Sequence, residues 1–274
     1  MKLFRHISKT VLIAGLAFSI GCKSTQTSTT TTSKEMQLLP EAPAWGALWQ
    51  QRAAEYKALC FQAYNFAHQS LDEVVKANNS DKPLAVVTDI DETVLDNSPS
   101  TIQQAKNRAS FSFKAWKEWT DLAAADTVPG APAFFKYAAS KGVEVFYITN
   151  RAISEQASTL KNLQKYGFPF ADVKHLLLMG TTSDKEERRK QVAQQYNIVL
   201  YCGDNLSDFS SAFNNKNSVS RGNWTQDNQS LFGIKYIVLP NVMYGNWLDA
   251  YYDGKPHATN QEANHLMDSI MKGF

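Results

Sequence analysis

Acidic residues stand in two short motifs that each follow an apolar run. Asp89 and Asp91 end the segment LAVVTDID, and Asp204 and Asp208 lie in GDNLSD, directly after the apolar run 198–202. Short apolar runs rich in β-branched residues are typical of buried strands, and ligands of open α/β sheets bind beyond the carboxyl ends of the strands. Carboxylates at such an edge are candidates for metal binding and for covalent chemistry. Alone, Asp-x-Asp after a strand is equally typical of a solvated turn or a calcium-type loop.

Groups suited to binding phosphate oxygens follow two other predicted elements. Thr149, Asn150 and Arg151 end the segment VFYITNR, where they supply a hydroxyl, an amide and a guanidinium group. All three can bind phosphate, and arginine can do so bidentately. Lys185 lies in the first turn of a predicted helix. A cation gains nothing from the helix dipole at that end, so the pattern favours a functional role for this lysine.

The elements that would position these groups alternate between strands and helices. Apolar runs predict strands at residues 84–88, 143–149, 175–178, 198–202 and 236–239. Strands separated by helices in this rhythm predict an α/β fold with a doubly wound, mostly parallel five-stranded sheet. Apolar residues at helical spacing over residues 44–76 predict one long helix or two in an N-terminal helical region, residues 41–80. The polar stretch 214–230 is predicted to be a loop.

An aromatic-rich insertion, residues 98–128, follows the first strand. Its aromatic residues stand among lysines and arginines and are Phe111, Phe113, Trp116 and Trp119. They are consistent with core packing of a helix over residues 112–122, and equally with a cap-like lid over the site beyond the first strand. The sequence leaves both interpretations open.

The composition limits the classes of protein to which the chain can belong. The chain has 274 residues, 43% of them hydrophobic, which is ample for a packed core. Its 28 basic and 26 acidic residues give a net charge of only +2. A nucleic-acid polymer is therefore not expected as a partner, because such proteins carry a concentrated basic surface.

The N-terminus has the pattern of an exported protein. Basic residues precede a short apolar stretch, which predicts a signal peptide over residues 1–21. Small residues before Cys22 resemble a bacterial lipoprotein processing site, with Cys22 as the lipidated first residue. Ordinary secretion and an uncleaved anchor are the alternatives. The polar tract that follows cannot bury apolar surface, so residues 22–40 are predicted to be a flexible tether to the membrane, most simply the outer membrane of the cell envelope. Residues 41–274 then form a single domain.

Two further cysteines, Cys60 and Cys202, lie in predicted core elements. Export to an oxidising compartment would permit a disulfide between them, and buried free thiols are the alternative. The sequence does not decide between the two.

In order and context, DIDET, YITNR, Lys185 and GDNLSD resemble the motifs of the haloacid dehalogenase-like phosphohydrolases. More narrowly, DIDETVLDN, VFYITNR and GDNLSDF resemble the bacterial class C nonspecific acid phosphatases, the DDDD group, over residues 44–247. Four ordered motifs are far more specific than any one of them. The resemblance implies a phosphatase domain that hydrolyses phosphate monoesters.

The resemblance also implies roles for the candidate residues. Asp89 would be the nucleophile, forming an aspartyl-phosphate, and Asp91 would protonate the leaving alcohol and later activate water. Mg²⁺ would be bound by the carboxylates of Asp89 and Asp204 and by the backbone carbonyl of Asp91, with Asp208 in or beside the first shell. Thr149 and Lys185 would bind the transferring phosphoryl group. Asn150 and Arg151 are further candidates for the same contact.

Trp116 and Tyr244 match positions where similar enzymes stack a nucleobase or an aromatic leaving group. This implies a small-molecule phosphomonoester substrate such as a 5′-nucleotide, with nicotinamide mononucleotide as one example. The alternative is that both residues are core aromatics. Two rival functions stay open, a surface lipoprotein that binds a ligand without turnover and a phosphotransferase to alcohols. The oligomeric state is also open, with a homodimer as one option.

Overall fold

The computed structural model describes residues 38–214, 217–252 and 259–274 of the chain. Its strands are β1 (Leu84–Thr88), β2 (Leu95–Asp96), β3 (Asp126–Thr127), β4 (Glu144–Ala152), β5 (Leu176–Met179), β6 (Asn197–Gly203) and β7 (Tyr236–Val238). The α-helices are α1 (Pro43–Arg52), α2 (Ala54–Ala77), α3 (Ser98–Lys106), α4 (Phe113–Asp121), α5 (Ala131–Ser140), α6 (Gln156–Lys165), α7 (Glu186–Gln195), α8 (Ser218–Asp227), α9 (Asn246–Asp249) and α10 (Asn260–Ile270).

The main sheet has five parallel strands in the order β5-β4-β1-β6-β7. The chain starts at the central strand, adds strands on one side and then crosses to the other, which is the doubly wound arrangement predicted from the alternation of strands and helices. The reversal places the carboxyl ends of β1, β4 and β6 side by side. Ligands of such sheets bind at this point.

Strand β1 is buried on both faces because helices cover both sides of the sheet. Leu84 and Val86 belong to the larger apolar cluster, which also contains residues of α2, α5 and α6, whereas Ala85 and Val87 belong to a smaller cluster with α7. Side chains of a strand alternate between faces, so a continuous apolar run is what a strand with two covered faces requires.

The N-terminal helical region is two helices, and α2 packs directly on the main sheet. Tyr56, Cys60, Tyr64, Ala67 and Leu71 recur at helical spacing and are all buried in the larger cluster. The hydroxyl of Tyr64 donates to the backbone oxygen of Thr93 at 2.7 Å. Helix α2 therefore supports the loop that follows β1.

The insertion after β1 leaves the sheet and returns to it through the short antiparallel pair of β2 and β3. Helix α4 occupies the predicted range, and the Ser112 hydroxyl caps it by accepting from the backbone nitrogen of Ala115 at 3.2 Å. The insertion thus stands at the carboxyl end of β1, beside the predicted site.

The prediction of a loop at residues 214–230 is wrong, because α8 lies within that stretch. Its sequence lacks the apolar periodicity that reveals a helix. The Asn217 side chain caps the helix by accepting from the backbone nitrogens of Val219 and Ser220 at 3.0 and 3.2 Å. Cys60 and Cys202 are buried free thiols.

Among the described helices, none combines the length and the apolar composition that crossing a bilayer requires. The predicted signal peptide, Cys22 and residues 23–37 of the predicted tether lie outside the described residues. The division into a signal peptide, a tether and a single domain therefore stays a prediction.

Candidate active site

Three carboxylates from two distant motifs converge at the carboxyl edge of the sheet. One oxygen each of Asp89, Asp204 and Asp208 lies within 4.8 Å of the other two. Asp89 follows β1, and the two others follow β6, which pairs with β1 in parallel. The convergence is a direct consequence of that pairing.

Lys185 lies between two of these carboxylates. Its Nζ is 2.5 Å from Asp89 Oδ1 and 2.7 Å from Asp208 Oδ1, and the residue is only 5% exposed. Burial alone would lower the pKa of Lys185, but the Asp208 and Asp89 carboxylates outweigh it and hold the pKa above its ordinary value. Lys185 is the residue directly before α7 and not part of the first turn as predicted, and the first turn contains Glu186 and Glu187.

The acidic cluster carries more negative charge than Lys185 offsets. Burial raises the pKa of Asp89 to about 7; Lys185 opposes the shift, and the carboxylates of Asp208 and Asp91 add to it. Burial, followed by the charges of Asp208 and Asp89, raises the pKa of Asp204 well above its ordinary value. A bound cation would relieve this repulsion.

The donor set fits a hard divalent cation. Asp89, Asp204 and Asp208 supply only carboxylate oxygens, which are the ligands that Mg²⁺ and related cations prefer. These three residues could therefore hold such an ion.

Two side chains that sequence reasoning missed orient Asp204. Asn241 Nδ2 donates to Asp204 Oδ2 at 2.8 Å, and Thr93 Oγ1 donates to Asp204 Oδ1 at 3.3 Å. Thr93 belongs to the DIDET motif, and Asn241 follows β7. Their positions after strands were the available signal, because polar residues there face the same sheet edge.

Asp208 depends on a close approach to Gly203. A Cβ atom at residue 203 would lie 2.5 Å from Asp208 Cβ, so any larger residue would displace the carboxylate. Asp208 Oδ2 also accepts from the backbone nitrogen of Asn205 at 3.0 Å. These contacts turn the other oxygen, Oδ1, toward Lys185.

Asp91 lies beside the cluster and is bound by Arg151. The guanidinium donates to Asp91 Oδ1 from Nη2 at 2.8 Å and from Nε at 3.0 Å. Thr149 is fully buried, with its Oγ1 3.4 Å from Asp91 Oδ2. The Arg151 side chain thus binds the carboxylate of Asp91, whereas the sequence suggested a contact with phosphate.

Asn150 lines the cavity and is bound by a second arginine. Its Oδ1 accepts from Arg188 Nη2 at 2.8 Å, and Arg188 Nη1 donates to the backbone oxygen of Thr149 at 2.6 Å. Asn150 and Arg188 therefore secure the end of β4, and the predicted contact of Asn150 with phosphate stays a prediction.

The carboxylates open into a cavity of about 690 Å³, which is the size of a small-molecule site. Side chains of the insertion and of the segment after β7 form its aromatic wall, namely Phe111, Phe113, Trp116 and Tyr244. Trp116 is half-buried on this wall and Tyr244 is exposed. Phe111, Phe113 and Trp116 of the insertion thus line the cavity, whereas Trp119 packs against the larger apolar cluster.

Glu92 is a buried acid that sequence reasoning missed. It accepts a hydrogen bond from the Tyr244 hydroxyl and another from the backbone nitrogen of Asn97 at 2.8 Å. Burial, with the charges of Asp91 and Asp204, raises the pKa of Glu92 well above its ordinary value. Glu92 thereby connects the cavity wall to the loop after β1.

Comparison with known proteins agrees with this geometry. The family model described as HAD superfamily, subfamily IIIB (Acid phosphatase) matches residues 9–247. The crystal structure of class C acid phosphatase from Bacillus anthracis with tungstate bound is 39% identical, with a TM-score of 0.82 over 86% of this chain and 99% of that one. A second structure of the Bacillus anthracis enzyme is also 39% identical, with a TM-score of 0.81 over 85% of this chain and 98% of that one.

More distant relatives are plant proteins. The stem 28 kDa glycoprotein of Glycine max is 29% identical over 129 residues, covering 44% of this chain and 51% of that protein. A stem 31 kDa glycoprotein of the same plant is 29% identical over 129 residues, covering 44% of each protein. The match thus spans about half the length of these curated relatives. The family model covers most of the chain and the bacterial structures share its fold, so the chain belongs to the HAD superfamily, subfamily IIIB, the acid phosphatases.

Proposed function

We propose that this chain hydrolyses phosphate monoesters, including 5′-nucleotides, outside the cytoplasm, with Asp89 as the nucleophile and Mg²⁺ as the cofactor. The observation that carries the proposal is the position of Asp89. Its carboxylate faces the cavity, contacts the buried Lys185 at 2.5 Å and lies in the acidic cluster with Asp204 and Asp208. A nucleophile, a fixed cation and a metal-binding set are the parts that phosphoryl transfer requires.

The first half of the reaction forms a bond between Asp89 and phosphorus. A carboxylate oxygen of Asp89 attacks, the bond from phosphorus to the leaving oxygen breaks, and Asp91 gives its proton to that oxygen. The products of this half are an alcohol and an aspartyl-phosphate. Lys185, bound to Asp89 Oδ1, fixes the nucleophile and offsets charge on the phosphoryl oxygens.

The second half regenerates the nucleophile. Asp91, now ionised, takes a proton from water as the water oxygen attacks phosphorus, and the bond to Asp89 breaks. Phosphate leaves and Asp91 is protonated again. When bound by Asp89, Asp204, Asp208 and the backbone carbonyl of Asp91, Mg²⁺ would neutralise charge on the transferring group.

Two observations support the substrate class. The aromatic wall places Trp116 and Tyr244 beside the carboxylates, and base stacking contributes about 1–3 kcal/mol with little dependence on the base. The similar Bacillus anthracis enzyme was solved with tungstate bound. Tungstate is an oxyanion, as phosphate is, which supports an oxyanion-binding site in this chain.

Export and lipid attachment are part of the proposal and rest on the sequence of residues 1–33. The enzyme would be anchored at Cys22 to a membrane of the cell envelope and would act on substrates outside the cytoplasm. The mass of the mature N-terminus tests this, because a lipid-modified cysteine supports it and an unmodified N-terminus elsewhere contradicts it.

The decisive experiment is Asp89→Asn with p-nitrophenyl phosphate and Mg²⁺ at mildly acidic pH. We expect turnover by the wild type and background activity in the variant, because an amide cannot act as the nucleophile. Asp126→Asn is the control, since Asp126 is an exposed acid of β3 and should leave the rate unchanged.

The same assay separates the rival functions. Binding of a 5′-nucleotide by the wild type without phosphate release would indicate a ligand-binding protein. Transfer of phosphate to added glycerol in preference to water would indicate a phosphotransferase. A fully active Asp89→Asn variant would show that another group is the nucleophile.

A further inference from the structure

The side chain of Arg151 is held at both ends. It is only 2% exposed, Nε and Nη2 bind Asp91 Oδ1 at 3.0 and 2.8 Å, and Nη1 donates to Thr159 Oγ1 at 3.1 Å. The Trp116 ring packs over the guanidinium, with its centroid 5.8 Å from Cζ. A planar guanidinium group that is bound on several sides has one orientation, so Asp91 Oδ1, which it binds, is fixed as well.

Asn97 adds a third donor to the same oxygen, and its amide orientation is determined by Trp119. The indole Nε1 of Trp119 can only donate, and it lies 2.8 Å from Asn97 Oδ1. The other end of the amide must then be the NH₂ group. Asn97 Nδ2 donates to Asp91 Oδ1 at 2.9 Å.

The two oxygens of Asp91 therefore differ. Oδ1 faces N–H groups from Arg151 and Asn97, which are donors only and leave no acceptor toward which a carboxylic proton could point. Oδ2 lies 3.3 Å from Arg151 Nε and 3.4 Å from Thr149 Oγ1, a hydroxyl that both donates and accepts. Oδ2 is therefore the oxygen with fewer and longer N–H contacts, and its neighbour Thr149 could accept a carboxylic proton.

We propose that Arg151 and Asn97 are positioning residues that immobilise Asp91 Oδ1, so that Oδ2 is the atom that delivers the proton to the leaving group. The inference rests on the proposed function. In the step concerned, the Oδ2–H bond breaks and a bond from hydrogen to the leaving oxygen forms as that oxygen separates from phosphorus. Asn97 contacts Asp91 through Oδ1, and Arg151 Nε also lies 3.3 Å from Oδ2, so both residues act through Asp91.

The test compares two leaving groups on the full chain with Mg²⁺. Glycerol phosphate releases a strongly basic alkoxide that needs a proton, whereas p-nitrophenyl phosphate releases a weakly basic phenolate that does not. General acid catalysis contributes about 10²–10⁴-fold, so we expect Arg151→Lys to lower kcat/KM for glycerol phosphate by about tenfold or more beyond its effect on p-nitrophenyl phosphate. Lysine keeps the positive charge of Arg151 but lacks the planar guanidinium group that binds Asp91 through two nitrogens.

Two further variants keep the test independent of one substitution. We call the extra loss of kcat/KM on glycerol phosphate, beyond the loss on p-nitrophenyl phosphate, the leaving-group bias. Asp91→Asn removes the acid and therefore gives the largest bias that its loss can produce. Trp119→Phe keeps the ring and removes the donor that orients Asn97, and we expect a smaller bias in the same direction. It also serves if Arg151→Lys does not fold.

Arg221→Lys is the matched control. Arg221 is a buried arginine that donates to the backbone oxygen of Phe213 and does not line the cavity. We expect it to change the two rates equally. Equal losses in Arg151→Lys and Trp119→Phe, or no bias in Asp91→Asn, would overturn the inference. A wild type that hydrolyses neither substrate would overturn the proposed function itself.

Discussion

Asp204→Asn should separate the contribution of Asp204 to metal binding from its contribution to folding. The introduced amide can keep the contacts of the carboxylate, with its oxygen accepting from Asn241 Nδ2 and its NH₂ group donating to Thr93 Oγ1. What the substitution removes is negative charge that repels Asp89 and Asp208. In a chelator, we therefore expect the variant to be at least as stable as the wild type.

With Mg²⁺ present, the wild type should be more stable than Asp204→Asn. A ligand that binds only the folded state adds about 2.7 kcal/mol at a concentration one hundred times its dissociation constant. In a domain of this size, about 1 kcal/mol shifts Tm by about 2–4 °C, so the wild type should melt about 5–11 °C higher with Mg²⁺ than in chelator. Asp204→Asn loses one of three clustered carboxylates and should show a shift of about 1 °C or less.

The measurement is thermal unfolding of both proteins in EDTA and in a series of Mg²⁺ concentrations. Asp227→Asn, at an exposed residue that ends α8, controls for the loss of one negative charge and should keep the full shift. An Asp204→Asn variant that shifts as much as the wild type would refute the assignment of Asp204 to the metal site. A variant much less stable in EDTA would refute the reasoning about repulsion.

Two other predictions concern substrate choice and pH. Trp116→Ala should lower kcat/KM for 5′-nucleotides about 5- to 150-fold, the equivalent of 1–3 kcal/mol of stacking, and should affect glycerol phosphate less; equal losses on both would exclude stacking at this residue. Glu144 is partly buried, which opposes ionisation, but hydrogen bonds from His175, Tyr196 and Lys174 outweigh burial and lower its pKa below the ordinary 4.5. The ionised form therefore stabilises the fold above the ordinary pKa, and unfolding midpoints should show that Glu144→Gln costs about 1 kcal/mol at pH 7 and progressively less as the pH falls through the lowered pKa. A difference that does not change with pH would contradict this.

The sheet and its acidic cluster could be predicted because both depend on local sequence. The apolar runs at β1, β4 and β6 identify strands covered on both faces, and parallel strands bring their carboxyl ends to one edge. Asp89 and Asp204 then meet without any further information. Helix α8 could not be predicted in the same way, since its sequence carries a capping Asn217 and no apolar stripe.

The partners of Asp91 were beyond sequence reasoning for a different reason. A guanidinium group can bind phosphate or carboxylate, and the sequence does not say which anion it meets 60 residues away. Only the pairing of β1 with β4 turns Arg151 toward Asp91. Asn97 and Glu92 were missed because polar residues after a strand are usual in loops, and burial is what distinguishes these two.

Two of the missed residues, Glu92 and Asn97, lie between the aromatic wall and Asp91. Trp116 packs over Arg151, and Arg151 binds Asp91. Tyr244 on the other part of the wall donates to Glu92, which accepts from the Asn97 backbone. Asn97 in turn donates to Asp91. Sequence motifs identify the residues that react. The residues that connect the aromatic wall to Asp91 are identified only by their contacts in the structure. Substitutions in the wall should therefore alter proton delivery as well as substrate affinity, because both sides of the wall are hydrogen-bonded or packed to the groups that hold Asp91.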